Sequence, residues 1–276
     1  MRYMFELSGE HPELPIWEAE SILSCYGKAK LIERDGSAAI FSSDSRSEEF
    51  ANRIALSHFL SKHLISTETN NLESAFSELD IPKCDSIAIR VKLREDRRKR
   101  IDATRVARRL GEIASKKARI RLETPDLILR VYIGDRAHVG IQSAEIDRSQ
   151  FENRKNRLLP FNSPISIHPR LARALVNLAA IKPDATILDP FCGTGSILIE
   201  AAMMGFPTYG SDVSKEMLDG ASRNLKYLGL KAGLRQIDVG NISDFGRKFD
   251  CVVTDPPYGR SSSTRKEPLN KLYSRA

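Results

Sequence analysis

From about residue 164 onward the chain alternates short apolar runs with helix-like stretches, and this alternation restricts the fold more than any other feature. Residues 186–188 read as a strand and 196–204 as a helix. Residues 207–210 and 215–228 repeat the pair; 233–237 and, after a short connection, 250–254 read as two more strands. Repeated strand-then-helix units at this spacing fold as a parallel, doubly wound α/β sheet. Ahead of them, residues 170–180 read as a strongly apolar helix ended by Pro183. In such sheets, ligands bind beyond the carboxyl ends of the strands, where strand order reverses.

Four segments fall at those carboxyl ends. The first is Asp189-Pro190-Phe191-Cys192-Gly193-Thr194-Gly195. Gly193 and Gly195 allow a tight turn and close approach of a ligand to the backbone. The helix starting at Ser196 aims its free amides and positive dipole end at this loop, which suits a ligand carboxylate. A Gly-x-Gly pair alone is equally a turn; the whole run, continued by Ile-Leu-Ile-Glu-Ala-Ala, is far more specific. A nicotinamide enzyme would want Gly-x-Gly-x-x-Gly, which is absent. The second segment is Asp212, past the second strand, where an acid accepts bonds from ribose hydroxyls. A dinucleotide enzyme would also place an acid there. The third is Asp238, past the third strand, where a loop aspartate is in itself commonplace.

The fourth segment is Asp255-Pro256-Pro257-Tyr258. Its prolines remove backbone donors and stiffen the loop, leaving carbonyls free to accept. Asp255 and the Pro256 carbonyl can accept hydrogen bonds from an exocyclic NH2, which localises the nitrogen lone pair. Tyr258 offers a flat face to a base that has left its helix. The bland alternative is a rigid Pro-Pro turn with a core tyrosine, and the glycine loop upstream weighs against it.

The first half of the chain reads differently. Strands are expected at 1–8, 30–33, 38–42, 86–93, 127–133 and 137–141, with hairpin turns at Asp35-Gly36 and Gly134-Asp135. Helices are expected at 15–25, 47–57 and 71–79, and from Asp102 to about residue 116. Residues 58–66 fit a strand or the end of the preceding helix. Residues 147–163 are polar without a sustained period and read as a linker. Charge is unevenly spread: the chain carries +7 overall, yet residues 90–121 hold 14 Lys or Arg against 4 acids. Such a concentration suits a polyanion, because clustered cations release counterions from phosphates, although most charge runs are solvated helix faces. The candidates are Arg94, Arg97, Arg98, Lys99, Arg100, Arg105, Arg108 and Arg109.

No stretch is long and apolar enough to cross a membrane, and the amino terminus lacks a signal-peptide pattern, so a cytoplasmic location is expected. The four cysteines form no CxxC pair and the five histidines have no zinc spacing; reduced thiols and no metal are expected.

With both halves read, the chain resembles the THUMP-containing archaeal tRNA guanine-N2 methyltransferases that act at guanosine 10. The likeness rests on residues 189–202, on residues 254–259, and on residues 163–177 just before the first strand of the alternating region. It implies a class I, Rossmann-like methyltransferase domain at 164–276 and S-adenosyl-L-methionine as cofactor. Ahead of these it implies a ferredoxin-like lobe at 1–45, a THUMP RNA-binding domain at 46–146 and a linker at 147–163. By that resemblance Asp189, Pro190, Phe191, Gly193, Gly195, Asp212 and Asp238 contact the cofactor, with Asp238 receiving its adenine amine. Asp255, Pro256, Pro257 and Tyr258 hold the guanine amine, and THUMP holds the acceptor end of tRNA. The Asp-Pro-Pro-Tyr loop alone fits ribosomal RNA guanine N2 and DNA adenine N6 equally, and a non-catalytic RNA-binding subunit stays open. Domains of this family continue past that loop with further strands. The resemblance therefore implies a sheet truncated at its carboxyl end: a fragment, a split gene, or a chain completed by a separate chain or small activating subunit.

Overall fold

Every residue from 3 to 7 of β1 (Arg2–Leu7) is buried, because the strand lies inside a sheet with apolar material on both faces. Tyr3, Phe5 and Leu7 pack with Ile16, Ala19, Ile22 and Leu23 of α1 (Leu14–Tyr26); Met4 packs with Ala38, Ile40 and Tyr132. The computed structural model describes residues 1–164, 166–257 and 268–274. The chain divides into Met1–Ile146 and Asp147–Ala276.

In the first unit, β2 (Ala29–Asp35) and β3 (Ala38–Ser43) form the expected hairpin. α2 (Ser47–Phe50) follows, then β4 (Ser57–Thr67). The helix expected through residue 57 stops early for a physical reason. Glu18 of α1, fully buried, accepts the Ala55 amide at 3.1 Å and the Leu56 amide at 2.7 Å, so these donors are lost to the helix. Residues 58–66 are therefore strand. α3 (Leu72–Ser77), β5 (Ser86–Leu93), α4 (Ala103–Ala114), β6 (Arg119–Ile120), β7 (Leu127–Ile133) and β8 (Ala137–Glu145) complete the unit. Asp102 caps α4, accepting from Thr104 N at 2.8 Å and Arg105 N at 3.2 Å.

The eight strands form one sheet in the order β2-β3-β1-β4-β8-β7-β5-β6. Only the β5–β6 and β5–β7 pairs are parallel. β3 and β4 lie on either side of residue 45 in sequence and both pair with β1, so the expected 1–45 and 46–146 segments share this sheet.

The second unit opens with α5 (Ser149–Glu152) and α6 (Pro169–Leu178). Then come β9 (Ile187–Asp189), α7 (Ser196–Met203), β10 (Thr208–Ser211), α8 (Lys215–Tyr227), β11 (Gly233–Arg235) and β12 (Cys251–Val252). α9 (Leu269–Tyr273) is the last element. Strand order is β11-β10-β9-β12, all parallel. Ile187 and Val253 pack with Ala172 and Val176 of α6 and with Ile197 and Ala201 of α7.

Residues 147–163 are not a free linker; they fold within the second unit. Phe151 is fully buried, and Leu159 packs with Ile199 and Leu225. The Arg154 guanidinium grips the buried Glu200 carboxylate with two bonds of 2.9 and 3.1 Å. Polar spelling hid this, because an arginine buried against a carboxylate looks like surface in a hydropathy pattern.

Candidate active site

Strand order reverses at β9. The chain steps outward from β9 to β10 to β11, then returns to place β12 on the other side of β9. Parallel register aligns the tips: Val252 pairs with Leu188, and Asp189 pairs with Gly210. The glycine loop and the Asp-Pro-Pro loop therefore leave neighbouring strands at the same edge. A hydrogen bond joins them, from Thr254 Oγ1 to Asp189 Oδ1 at 2.6 Å. Asp212 follows β10 on the other flank and Asp255 follows β12, so carboxylates stand at three adjacent strand tips.

Each acid has identifiable partners. Asp189 is buried, and its Oδ1 also accepts the Phe191 amide at 3.1 Å. Burial pushes its carboxyl up to about 7; the Thr254 and Phe191 bonds oppose that rise, while the charges of Asp212 and Asp255 add to it. Asp212 accepts the Gly193 amide at 3.0 Å and the Ser214 amide at 2.8 Å, bracing the glycine loop against the next strand tip. Asp238 accepts Gly240 N at 2.9 Å and is half-buried at the start of a 3-10 turn. Asp255, Pro256 and Pro257 are half-buried; Tyr258 lies outside the described residues.

The glycine loop carries two left-handed residues, Gly193 with φ +49° and Gly195 with φ +84°. Gly195 is the N-cap of α7 and offers no side chain to its amides. Pro190 is buried and Phe191 half-buried. Cys192 is buried, and burial with the neighbouring Asp189 charge raises its thiol well above the usual range, so it is not a ready thiolate.

Two further residues hold this loop: Asn224, which pattern reading passed over, and Ser166, in the stretch 163–177 singled out ahead of the first strand. Asn224 of α8, fully buried, donates to Thr194 O at 3.1 Å and to Phe161 O at 2.9 Å, and accepts Phe161 N at 2.9 Å. Ser166 Oγ lies 2.9 Å from Thr194 Oγ1. An asparagine on the buried face of a helix, between Ala221 and Leu225, was the available signal.

Residues 154–276 match the family described as RMKL-like, methyltransferase domain. A tRNA (guanine(10)-N2)-dimethyltransferase of Methanothermobacter thermautotrophicus is 36% identical, over 99% of this chain and 82% of that protein. The protein of the same name from Methanocaldococcus jannaschii is 31% identical, over 95% of this chain and 84% of its own length. The chain belongs to the family of tRNA guanine-N2 methyltransferases. Among solved structures, TrmN from Thermus thermophilus has a similar fold to this chain, with a TM-score of 0.54 at 24% identity over the whole chain and 83% of TrmN.

The basic stretch predicted for the family member divides in two. Arg94 is spoken for by Asp35 at 2.7 Å, Asp96 at 2.7 Å and Asp135 at 2.6 Å; Arg97 pairs with Asp135 at 2.9 Å and Arg109 with Glu73 at 3.2 Å. Arg98, Lys99, Arg100, Arg105 and Arg108 are exposed. Arg98, Lys99 and Arg100 join Lys92 and Arg130 around an open cleft of about 880 Å³ beside Asp102. Arg130 is itself buried, bound to Glu6 and stacked 3.3 Å over the Phe59 ring. Among the described residues no helix is long and apolar enough to cross a membrane, and no cluster of His, Cys, Asp or Glu could hold a metal ion.

Proposed function

We propose that this chain methylates the exocyclic N2 amine of a guanosine in tRNA, at position 10, yielding N2-methyl- or N2,N2-dimethylguanosine. The observation that carries the reading is the hydrogen-bonded contact of the Asp189 and Asp255 loops at the reversal of strand order. S-adenosylmethionine is the cofactor in this reading, and when bound it supplies an electrophilic methyl on a sulfonium. The site fits such a cation in two respects. Asp189, Asp212 and Asp255 stand at or just past adjacent strand tips, and two left-handed glycines open the loop in front of the uncapped α7 amides, which suit a carboxylate.

In this reading Asp189, Pro190, Phe191, Gly193, Gly195, Asp212 and Asp238 line the cofactor. Asp212 keeps acceptor capacity for ribose hydroxyls, since each of its oxygens takes one backbone amide. Asp255 and the Pro256 carbonyl accept the amine hydrogens of guanine, and Pro257 keeps the loop rigid. Tyr258 is assigned the stacking of the flipped base. The proton shed by N2 passes to Asp255 or to water. Most of the acceleration comes from holding amine and donor in line, worth on the order of 7–11 kcal/mol in favourable cases.

Recognition of tRNA is assigned to the first unit, read as a ferredoxin-like lobe with a THUMP domain. Arg98, Lys99, Arg100, Arg105 and Arg108 are the cations free to meet phosphates. A cytoplasmic location is part of this reading. The test is methyl transfer from labelled S-adenosylmethionine to an unmodified tRNA transcript, with nucleoside analysis by mass spectrometry. A transcript carrying adenosine in place of guanosine 10 is expected to accept no methyl. Transfer to duplex DNA adenine instead of tRNA sinks the assignment. Asp255→Ala is expected to lower transfer by at least about 100-fold while leaving cofactor affinity within a few-fold.

A further inference from the structure

The hydroxyl of Thr254 sits where a strand end meets the apolar core, directly after the buried Val253. An apolar side chain would satisfy packing there. Thr254 instead donates to Asp189 at 2.6 Å, the short distance expected of a hydroxyl bonded to a carboxylate. Asp189 belongs to the β9 tip and Thr254 to the β12 tip, so one bond spans the two loops. We propose that Thr254 is a positioning residue for methyl transfer, a latch that holds the Asp255 loop at a set distance from the glycine loop. The proposal rests on the methyltransferase reading above.

The latch has a second consequence. Burial, and then the charges of Asp212 at the β10 tip and Asp255 beyond the β12 tip, disfavour an ionised Asp189. The Thr254 hydroxyl is the largest influence favouring ionised Asp189. Without it, Asp189 holds its proton to higher pH, and a neutral carboxyl no longer attracts the cationic end of the cofactor. Thr254 thus governs both the gap between the loops and the pH at which the cofactor loop becomes competent.

The test compares Thr254→Val, which keeps the shape and loses the donor, with Thr254→Ser, which keeps the donor. Calorimetry with S-adenosylmethionine from pH 6 to pH 9 reads the first effect. The binding midpoint of Thr254→Val is expected to move up by about one pH unit, as loss of one charge-assisted bond implies. Single-turnover transfer to a tRNA transcript reads the second: the rate is expected to fall about 10- to 100-fold with tRNA affinity unchanged. Thr254→Ser restores both. A Thr254→Val protein with a lower melting temperature but the wild-type pH midpoint and rate overturns the proposal, since that is a packing role alone. If the valine variant does not fold, Thr254→Ala carries the same comparison. A wild-type chain that binds no S-adenosylmethionine removes the methyltransferase reading itself, and the latch with it; binding by the wild type and an unmoved variant removes the latch alone.

Discussion

Single residues decide how tightly the cofactor loop is built. Gly195 has φ +84°, and a Cβ placed there would lie 3.2 Å from the Ala221 Cβ. Gly195→Ala therefore combines left-handed strain of about 1–2 kcal/mol with a crowded contact against α8. Reduced affinity for S-adenosylmethionine in calorimetry, together with a lower melting temperature, is the expected outcome. Thr254 shows the limit of reading residues one at a time. Threonine before Asp-Pro-Pro-Tyr looks like an ordinary strand end, and its bond to Asp189 needs a partner 65 positions away.

Among the elements, α8 has the largest influence on the site relative to its plain appearance. Its Gly220 leaves room for the Phe161 ring, which a Cβ would approach to 2.0 Å. One turn on, Asn224 fastens Phe161 and the Thr194 carbonyl together. Asn224→Ala leaves buried partners unsatisfied and is expected to cost about 1–3 kcal/mol in denaturant unfolding. It should also weaken cofactor binding through the loosened glycine loop. Gly220→Ala is expected to destabilise by a similar amount, about 1–3 kcal/mol, and Phe161→Ala should relieve the clash in the double variant. An additive double variant would argue against direct packing of the pair. β9 to β12 and α6 to α8 of the second unit are legible because their apolar periods are strong; α5, in the polar stretch 147–163, and α9 are not. Nor is α2, because its length is set by Glu18 reaching across from α1.

At the scale of the whole molecule, one buried group in each unit responds to acid in the opposite direction to the other. Asp189 titrates at about 7 in the folded chain, above its ordinary 3.8, so the folded form binds that proton more tightly. Its contribution to stability is present at low pH and lost as pH rises through about 7. His63 in the first unit is pushed down to about 4, chiefly by burial and then by His138, from an ordinary 6.5. Its contribution is present above pH 6.5 and lost as pH falls towards 4. Hydrogen exchange at pH 7 and pH 5 is the check. Acidification should speed intrinsic-rate-corrected exchange in β4 and β8 and slow it around β9. Exchange that accelerates equally in both sheets would contradict the pair of assignments.

The sequence by itself determined the doubly wound order of the second unit, the two loops at its strand tips, and the concentration of positive charge between residues 90 and 121. Those are local properties: periodicity, glycine and proline chemistry, and formal charge are written within a few residues of one another. Only the tertiary structure decided which arginines remain available, since Arg94, Arg97 and Arg109 meet acids that lie elsewhere in the chain. It likewise drew residues 147–163 into the second unit through Arg154 and Glu200, and brought Thr254 against Asp189. Ion pairs and single hydrogen bonds between distant segments leave no periodic trace, so their partners are known only once the chain has folded.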